Sequence, residues 1–238
     1  MPYRALAVDY DGTLASGGRV APATRDALAR LRPAGHRLFL VTGRRLDDLR
    51  SAFPEADRLC DAMVCENGGV LHLPATGETR ALAPPPPPEL LDCLRRKGVQ
   101  PLAIGTVALY TRTPHEKEAI DAIRELALTL DVSFNKGAVM ILPPGRDKAR
   151  TLGDLLEEAG IAPAEVVGVG DAENDHAFLR LCGRSVAVAD AVSSVREDAD
   201  HVTRGGAGAG VVEVVDWLLD DGAQPAATAS GERPTRLS

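Results

Sequence analysis

Ala5-Leu6-Ala7-Val8-Asp9-Tyr10-Asp11-Gly12-Thr13 joins four apolar residues to two acids, a glycine and a threonine. The apolar run reads as a buried strand. Side chains at i and i+2 of an extended chain point the same way, which sets Asp9 and Asp11 together where that strand ends. Gly12 then lets the chain turn away. In open α/β sheets, ligand chemistry sits at the carboxyl ends of the strands. Two acids there point to one nucleophile or metal ligand and one proton donor.

The 238 residues suffice for one large α/β domain, or for one domain with a small insert. The chain is 45% hydrophobic and 26% charged, as a soluble globular protein should be. Only 3% is aromatic, so Leu, Val, Ile and Ala must build the core. A net charge of −7 opposes nucleic acid as the main partner. Cys60, Cys65, Cys93 and Cys182 are scattered, with no C-x-x-C, and read as reduced thiols. No segment approaches transmembrane length. The expectation is a cytoplasmic protein, monomer or homodimer, without a membrane partner.

Around the first strand the pattern alternates strand and helix. Strands are predicted at 37–41 and 62–65, with helices over 23–31 and 46–53. Segments 70–73 and 78–82 flank Pro74-Ala75-Thr76-Gly77 and read as a hairpin. The five prolines at 84–88 form a stiff, extended run that cannot enter a helix or a central strand. The pattern then changes. Helices are expected at 90–96 and 116–130, and strands at 108–111, 132–134 and 139–142. Pro143-Pro144-Gly145 marks the return to a helix at 148–159, a strand at 166–169, a loop at 170–175, and a helix to about 181. A strand at 186–188 and a glycine-rich stretch at 205–210 lead to a closing helix ending near 219. The predicted architecture is a doubly wound parallel α/β sheet, residues 1–83 and 143–221, carrying a small α+β insert at 84–142. Residues 222–238 have no apolar period and read as a disordered tail.

Four clusters fall at predicted strand ends or helix starts: Asp9-x-Asp11-Gly12-Thr13, Thr42-Gly43-Arg44, Lys148, and Gly170-Asp171-Ala172-Glu173-Asn174-Asp175. An EF-hand needs glycine sixth and glutamate twelfth. Counting from Asp9, glycine is fourth and Val20 is twelfth, so that reading fails. The 205–210 stretch lacks the Gly-Lys-Ser/Thr ending of a P-loop and reads as a plain loop. Parallel strands bring their carboxyl ends to one edge, so the four clusters converge. Several carboxylates so close repel unless a cation sits among them. Oxygen ligands favour a hard ion, and Mg2+ suits a site that also holds phosphate. This composition fits phosphoryl transfer, where catalysis is positioning and charge neutralisation. Of the remaining polar residues, Arg44 reads as structural, pairing with a neighbouring acid. Asp190 reads as solvated; the insert residues Arg112, Lys117 and Lys136 are candidates to meet a substrate anion, with solvated surface the preferred reading for each.

The ordered motif set resembles the haloacid dehalogenase-like superfamily of phosphatases. An insert between the second and third motifs resembles its subclass IIB, the Cof-like proteins. Asp147-Lys148-Ala149 is similar to that subclass's Asp-Lys-Gly, and Glu66-Asn67-Gly68-Gly69 to its Asn-Gly-Ala loop. The resemblance implies Asp9 as the nucleophile that becomes an aspartyl-phosphate, and Asp11 as acid and base. It implies Thr42, Gly43, Lys148 and Asn174 around the phosphate. It implies Asp9, the carbonyl of Asp11, and Asp171 as Mg2+ ligands, with Asp175 supporting. The short insert resembles the small-capped branch, which includes phosphoglycolate and sucrose-phosphate phosphatases. The expected function is Mg2+-dependent hydrolysis of a small phosphorylated metabolite, a sugar phosphate or a phospho-acid. A phosphotransferase or mutase using the same intermediate, or a non-catalytic metabolite-binding module, are the alternatives.

Overall fold

The computed structural model describes residues 3–220. The tail expected from residue 222 lies outside the described residues. Strands β1 (Ala5–Val8), β2 (Arg37–Val41) and β3 (Ala62–Cys65) are followed by β4 (Val70–Leu73) and β5 (Glu78–Ala81). Helices α1 (Pro22–Ala29), α2 (Leu46–Ala52) and α3 (Ala56–Leu59) connect the first three strands. The insert holds α4 (Pro88–Arg96), β6 (Ala103–Ile104), β7 (Leu109–Arg112), α5 (Glu116–Glu125), β8 (Asp131–Asn135) and β9 (Ala138–Leu142). The chain returns through α6 (Lys148–Glu158), β10 (Val166–Gly170), α7 (His176–Leu181), β11 (Arg184–Ala187), α8 (Ser193–Asp198), β12 (His201–Val202) and α9 (Ala207–Leu219).

The larger sheet runs β12-β11-β10-β1-β2-β3-β4-β5, parallel except for the hairpin edge β4–β5. The chain leaves β1 in one direction through β2 and β3, then returns to β10 on its other side. That reversal opens a crevice beyond the carboxyl ends of β1 and β10. Val8 lies opposite both Val169 and Leu40, so Asp9, Asp171 and Thr42 emerge nearly level. Strand β1 is fully buried, and its aliphatic side chains join one large core with those of β2, β3 and β10. Leu, Val, Ile and Ala dominate that core, as the low aromatic content requires.

The insert forms a four-stranded antiparallel sheet, β6-β7-β9-β8, with its own apolar cluster around Leu90, Leu94, Leu109, Ala119, Ile123 and Ile141. Helix α3 and strand β6 have no counterpart in the sequence expectation, and three further details differ from it. Pro88 does enter a helix, as the first residue of α4, where its missing N–H costs nothing. Helix α5 stops at Glu125 rather than at 130. There Ala127 turns left-handed at φ 49°, and Leu128 N–H donates back to Ile123 O at 3.0 Å. Leu126, Leu128 and Leu130 still pack on the insert's core, so the apolar pattern outlasts the helix.

The glycine-rich stretch is the third difference. It is not a plain loop, because α9 begins at Ala207 and contains Gly208 and Gly210. A Cβ on Gly208 would lie 2.5 Å from Thr24 Oγ1 and 3.0 Å from Leu14 O. Gly208 therefore lets α9 close onto α1 and the turn after β1. Asp190 is exposed, as expected, and also accepts a hydrogen bond at 2.9 Å from Ala207 N–H at the start of α9. Helix propensity alone would make Gly208→Ala stabilising by ~1 kcal/mol. Overpacking against fixed backbone instead predicts a loss of about 1–3 kcal/mol, read as a lowered melting temperature.

Candidate active site

Helix α6 starts with Lys148, capped by Asp147, whose Oδ1 accepts from Arg150 N–H at 2.7 Å. A lysine at a helix N-terminus opposes the helix dipole. Here it is 1% exposed, because two carboxylates hold it. Its Nζ donates to Asp9 Oδ1 at 2.5 Å and to Asp175 Oδ1 at 2.7 Å. The other oxygen of Asp175 accepts from the N–H groups of Asp171 and Ala172, both at 3.0 Å. Asp175 thus ties the ammonium to the loop that presents Asp171. Thr13 Oγ1 donates to Asp171 Oδ1 at 2.8 Å, joining the first and fourth motifs directly. A threonine after Asp-x-Asp-Gly carries no sequence signal for this contact.

Asp11 and Arg44 form a second pair. Arg44 Nε and Nη2 donate to the two Asp11 oxygens at 2.6 and 2.7 Å, and the guanidinium lies 4.9 Å from the Tyr10 ring centre. The expected pairing of Arg44 with a neighbouring acid is therefore present. Thr42 Oγ1 accepts from Arg44 N–H at 3.1 Å, which folds the loop after β2. Asn174 Nδ2 donates to Asn67 Oδ1 at 3.3 Å, while its own Oδ1 is buried without a partner. Asp9, Asp11, Thr42, Gly43 and Arg44 share a cavity of about 270 Å³ with Tyr110, Ala138 and Met140 of the insert.

Lys136 departs most from expectation. Its side chain stays half exposed, yet it does not stand free. At the turn between β8 and β9 it reaches down, and its Nζ bonds Asp171 Oδ2. The turn is tight, with φ 46° at Lys136 and 82° at Gly137. No sequence pattern marks this contact, because it depends on where the insert sits over the sheet.

The electrostatics follow from burial. Desolvation and the neighbouring Asp175 push the Asp9 carboxyl well above its usual range, although Lys148 opposes them. Desolvation also raises Asp171, against the bonds from Lys136 and Thr13. Burial pulls Lys148 down, but Asp175 and Asp9 together outweigh it and hold the ammonium protonated. Asp9, Asp171 and Asp175 bring ligand oxygens within 4.8 Å of one another. Asp175 already spends its oxygens on Lys148 and two N–H groups. Asp9 and Asp171 are then the carboxylates that would hold a cation, and the Lys136 ammonium stands at Asp171 Oδ2. The donor set, hard and anionic, fits Mg2+.

Residues 6–121 and 97–215 match the model of the haloacid dehalogenase-like hydrolase family. The chain belongs to that family. As a haloacid dehalogenase-like hydrolase it has whole-length relatives among phosphatases. It is 34% identical to the phosphoglycolate phosphatase of Methanothermobacter thermautotrophicus over 89% of this chain and 97% of the relative. It is 31% identical to that of Archaeoglobus fulgidus, over 90% and 96%. The family and these relatives make it an enzyme, a phosphoric monoester hydrolase. Its fold is that of a subclass IIB sugar phosphatase, with a TM-score of 0.71, 22% identity, and coverage of 90% of this chain and 98% of the other. A haloacid dehalogenase-like hydrolase from Bacteroides thetaiotaomicron superposes with a TM-score of 0.75, 21% identity, and coverage of 90% and 98%.

Lys148→Ala would leave Asp9 and Asp175 buried without their shared cation, at a cost of about 3–5 kcal/mol. The pH sign follows from the raised Lys148 value. Its contribution is complete below the ordinary lysine value of ~10.4 and is lost only as pH climbs through the higher folded value. Urea titrations at pH 7 and above pH ~10.5 should therefore show the gap between wild type and Lys148→Ala shrinking only in base.

Proposed function

We propose that this chain is a Mg2+-dependent phosphatase of a small phosphorylated carboxylic acid, of the phosphoglycolate type, acting through an aspartyl-phosphate. The supporting observation is Lys148, held between Asp9 and Asp175 beside Asp171 at one sheet edge. Bound at Asp9, Asp171 and the Asp11 carbonyl, Mg2+ would supply charge neutralisation for an anionic ester. Asp9 Oδ1 is fixed by Lys148, leaving Oδ2 to attack phosphorus as the ester oxygen departs. Asp11 turns from Arg44 to protonate that leaving oxygen, then takes a proton from the water that opens the acyl phosphate. Thr42, the Gly43 backbone and Lys148 steady the phosphoryl oxygens, and Asn174 braces the loop.

Residues 84–142 act as the cap. The cavity it closes over Asp9 and Asp11, about 270 Å³, falls just below the usual range for ligand pockets and suits a short leaving group, while Lys136 lines a second cavity of about 710 Å³ beside Asn174. Were Asp171 to hold a metal, the half-exposed Lys136 ammonium would be the insert's cation placed to meet a substrate carboxylate. This favours a phospho-acid over a sugar phosphate, as do relatives named phosphoglycolate phosphatase.

A monoester panel assayed for phosphate release with and without Mg2+ tests the reading. Asp9→Asn should reduce turnover by about a thousandfold or more. Lys136→Ala should lower kcat/KM for phosphoglycolate by about 10- to 100-fold, the worth of a charge-assisted hydrogen bond. The same variant should leave p-nitrophenyl phosphate within about threefold of wild type. Unchanged turnover in Asp9→Asn would sink the mechanism, and equal losses on both esters would sink the role given to Lys136.

A further inference from the structure

Glu66 is a buried carboxylate, 1% exposed, that the reaction above does not use. It follows β3 at the same sheet edge as the catalytic loops. Its Oε1 accepts from Thr106 N–H at 2.7 Å, and its Oε2 from Val107 and Ala108 N–H at 3.0 and 3.1 Å. Those three donors belong to the turn between β6 and β7, in the cap. A carboxylate of the core thus closes a ring of cap backbone amides, and a carboxylate is the side chain that accepts so many donors.

Both partners are shaped for this contact. A Cβ on Gly105 would fall 2.4 Å from Glu66 Oε2, and one on Gly69 would fall 2.2 Å from Val107 Cγ2. Glu66 and Asn67 both hold left-handed backbone, φ 51° and 55°, which side-chain-bearing residues rarely adopt. Such strain persists where surrounding bonds over-determine it. Here they do. Glu66 N–H donates to Arg44 O at 2.9 Å, and Asn67 N–H to Thr42 O at 3.0 Å. Asn67 Oδ1 accepts from Asn174, and Gly68 O accepts from Thr151 Oγ1 at 2.6 Å, on the helix that begins with Lys148. One short loop is bonded to the phosphate-side loop, to the helix of the buried lysine, to the acidic loop, and to the cap.

The geometry points to Glu66 as a positioning residue that pins the cap turn to the phosphate-side loop and so sets where the cap meets the substrate. Strand β7 leads from the pinned turn to Arg112, which pairs with Ala138 beside the Lys136 turn. Four residues of strand make a lever of roughly 13 Å between the pin and the hairpin tip. A small slip at Glu66 therefore moves Lys136 and Met140 relative to Asp9. The pin itself stands on the hydrogen bonds alone. Only its kinetic consequence rests on the phosphatase reading.

Three variants test it: Glu66→Ala, Glu66→Gln, which keeps one acceptor oxygen, and Gly105→Ala, which presses on the pin from the cap side. In Glu66→Ala, hydrogen exchange at Thr106, Val107 and Ala108 should quicken by about tenfold or more while β1 and β10 amides keep their protection. The ratio of kcat/KM for phosphoglycolate to that for p-nitrophenyl phosphate should fall by about tenfold. Inhibition by inorganic phosphate, which needs only the core, should stay within about twofold. Glu66→Gln should lie between wild type and Glu66→Ala, and Gly105→Ala should resemble the latter. Unchanged exchange and an unchanged ratio would overturn the inference, as would equal losses in the ratio and in phosphate inhibition. If Glu66→Ala does not fold, the other two variants decide. If the wild type hydrolyses no ester, the phosphatase reading fails and the exchange experiment still decides the pin.

Discussion

One buried ammonium, shared between two buried carboxylates, is the constraint on which the site depends. A parallel sheet that turns back on itself brings acidic loops together at the point of reversal. Their repulsion and desolvation push Asp9 toward its neutral form. Lys148 opposes that push, and it does so from the least favourable end of a helix dipole. Replacing such a triad by apolar residues often stabilises a protein. Its retention here is therefore an argument about chemistry rather than stability. Through Asp175 the same ammonium also fixes the N–H groups of Asp171 and Ala172, so placing one charge places the next ligand.

The second organising fact is that cations and anions alternate across the site. Arg44 meets Asp11, Lys148 meets Asp9 and Asp175, and Lys136 meets Asp171. The first two cations come from the sheet side and the third from the insert. The insert is thus electrically part of the site. It also carries a small apolar cluster of Ala108, Met140 and Leu142 with Tyr110 packed on it, of which Tyr110 and Met140 line the catalytic cavity.

Much of this was legible in the chain, and the residues that were not share a cause. The β1 strand and its acids stand out because a fully buried strand is apolar without interruption and the break in pattern falls at Asp9. Lys148 and Asp171 follow from the same logic of strand ends. Lys136 and Glu66 do not, because their contacts depend on how the insert sits over the parallel sheet, which no strand-end pattern records. Helix α5 was overrun because Leu126 and Leu130 keep packing after the backbone has turned left-handed at Ala127. The glycines near 205–210 looked like a loop because low helix propensity and close helix contact leave the same mark on a sequence. Gly208 is there for what it touches.

The reversal at β1 also has a cost in time. Ala5 pairs with Arg37 on one side and with Val166 on the other. During synthesis the first side can form early, while the second must wait for the whole insert. At ribosomal rates of ~5–20 residues per second, that is a delay of roughly six to twenty-five seconds. Throughout it, the Ala5–Val8 edge is apolar and unpaired, the kind of edge that recruits foreign strands. The central strand of the finished enzyme is, for the growing chain, its longest exposure.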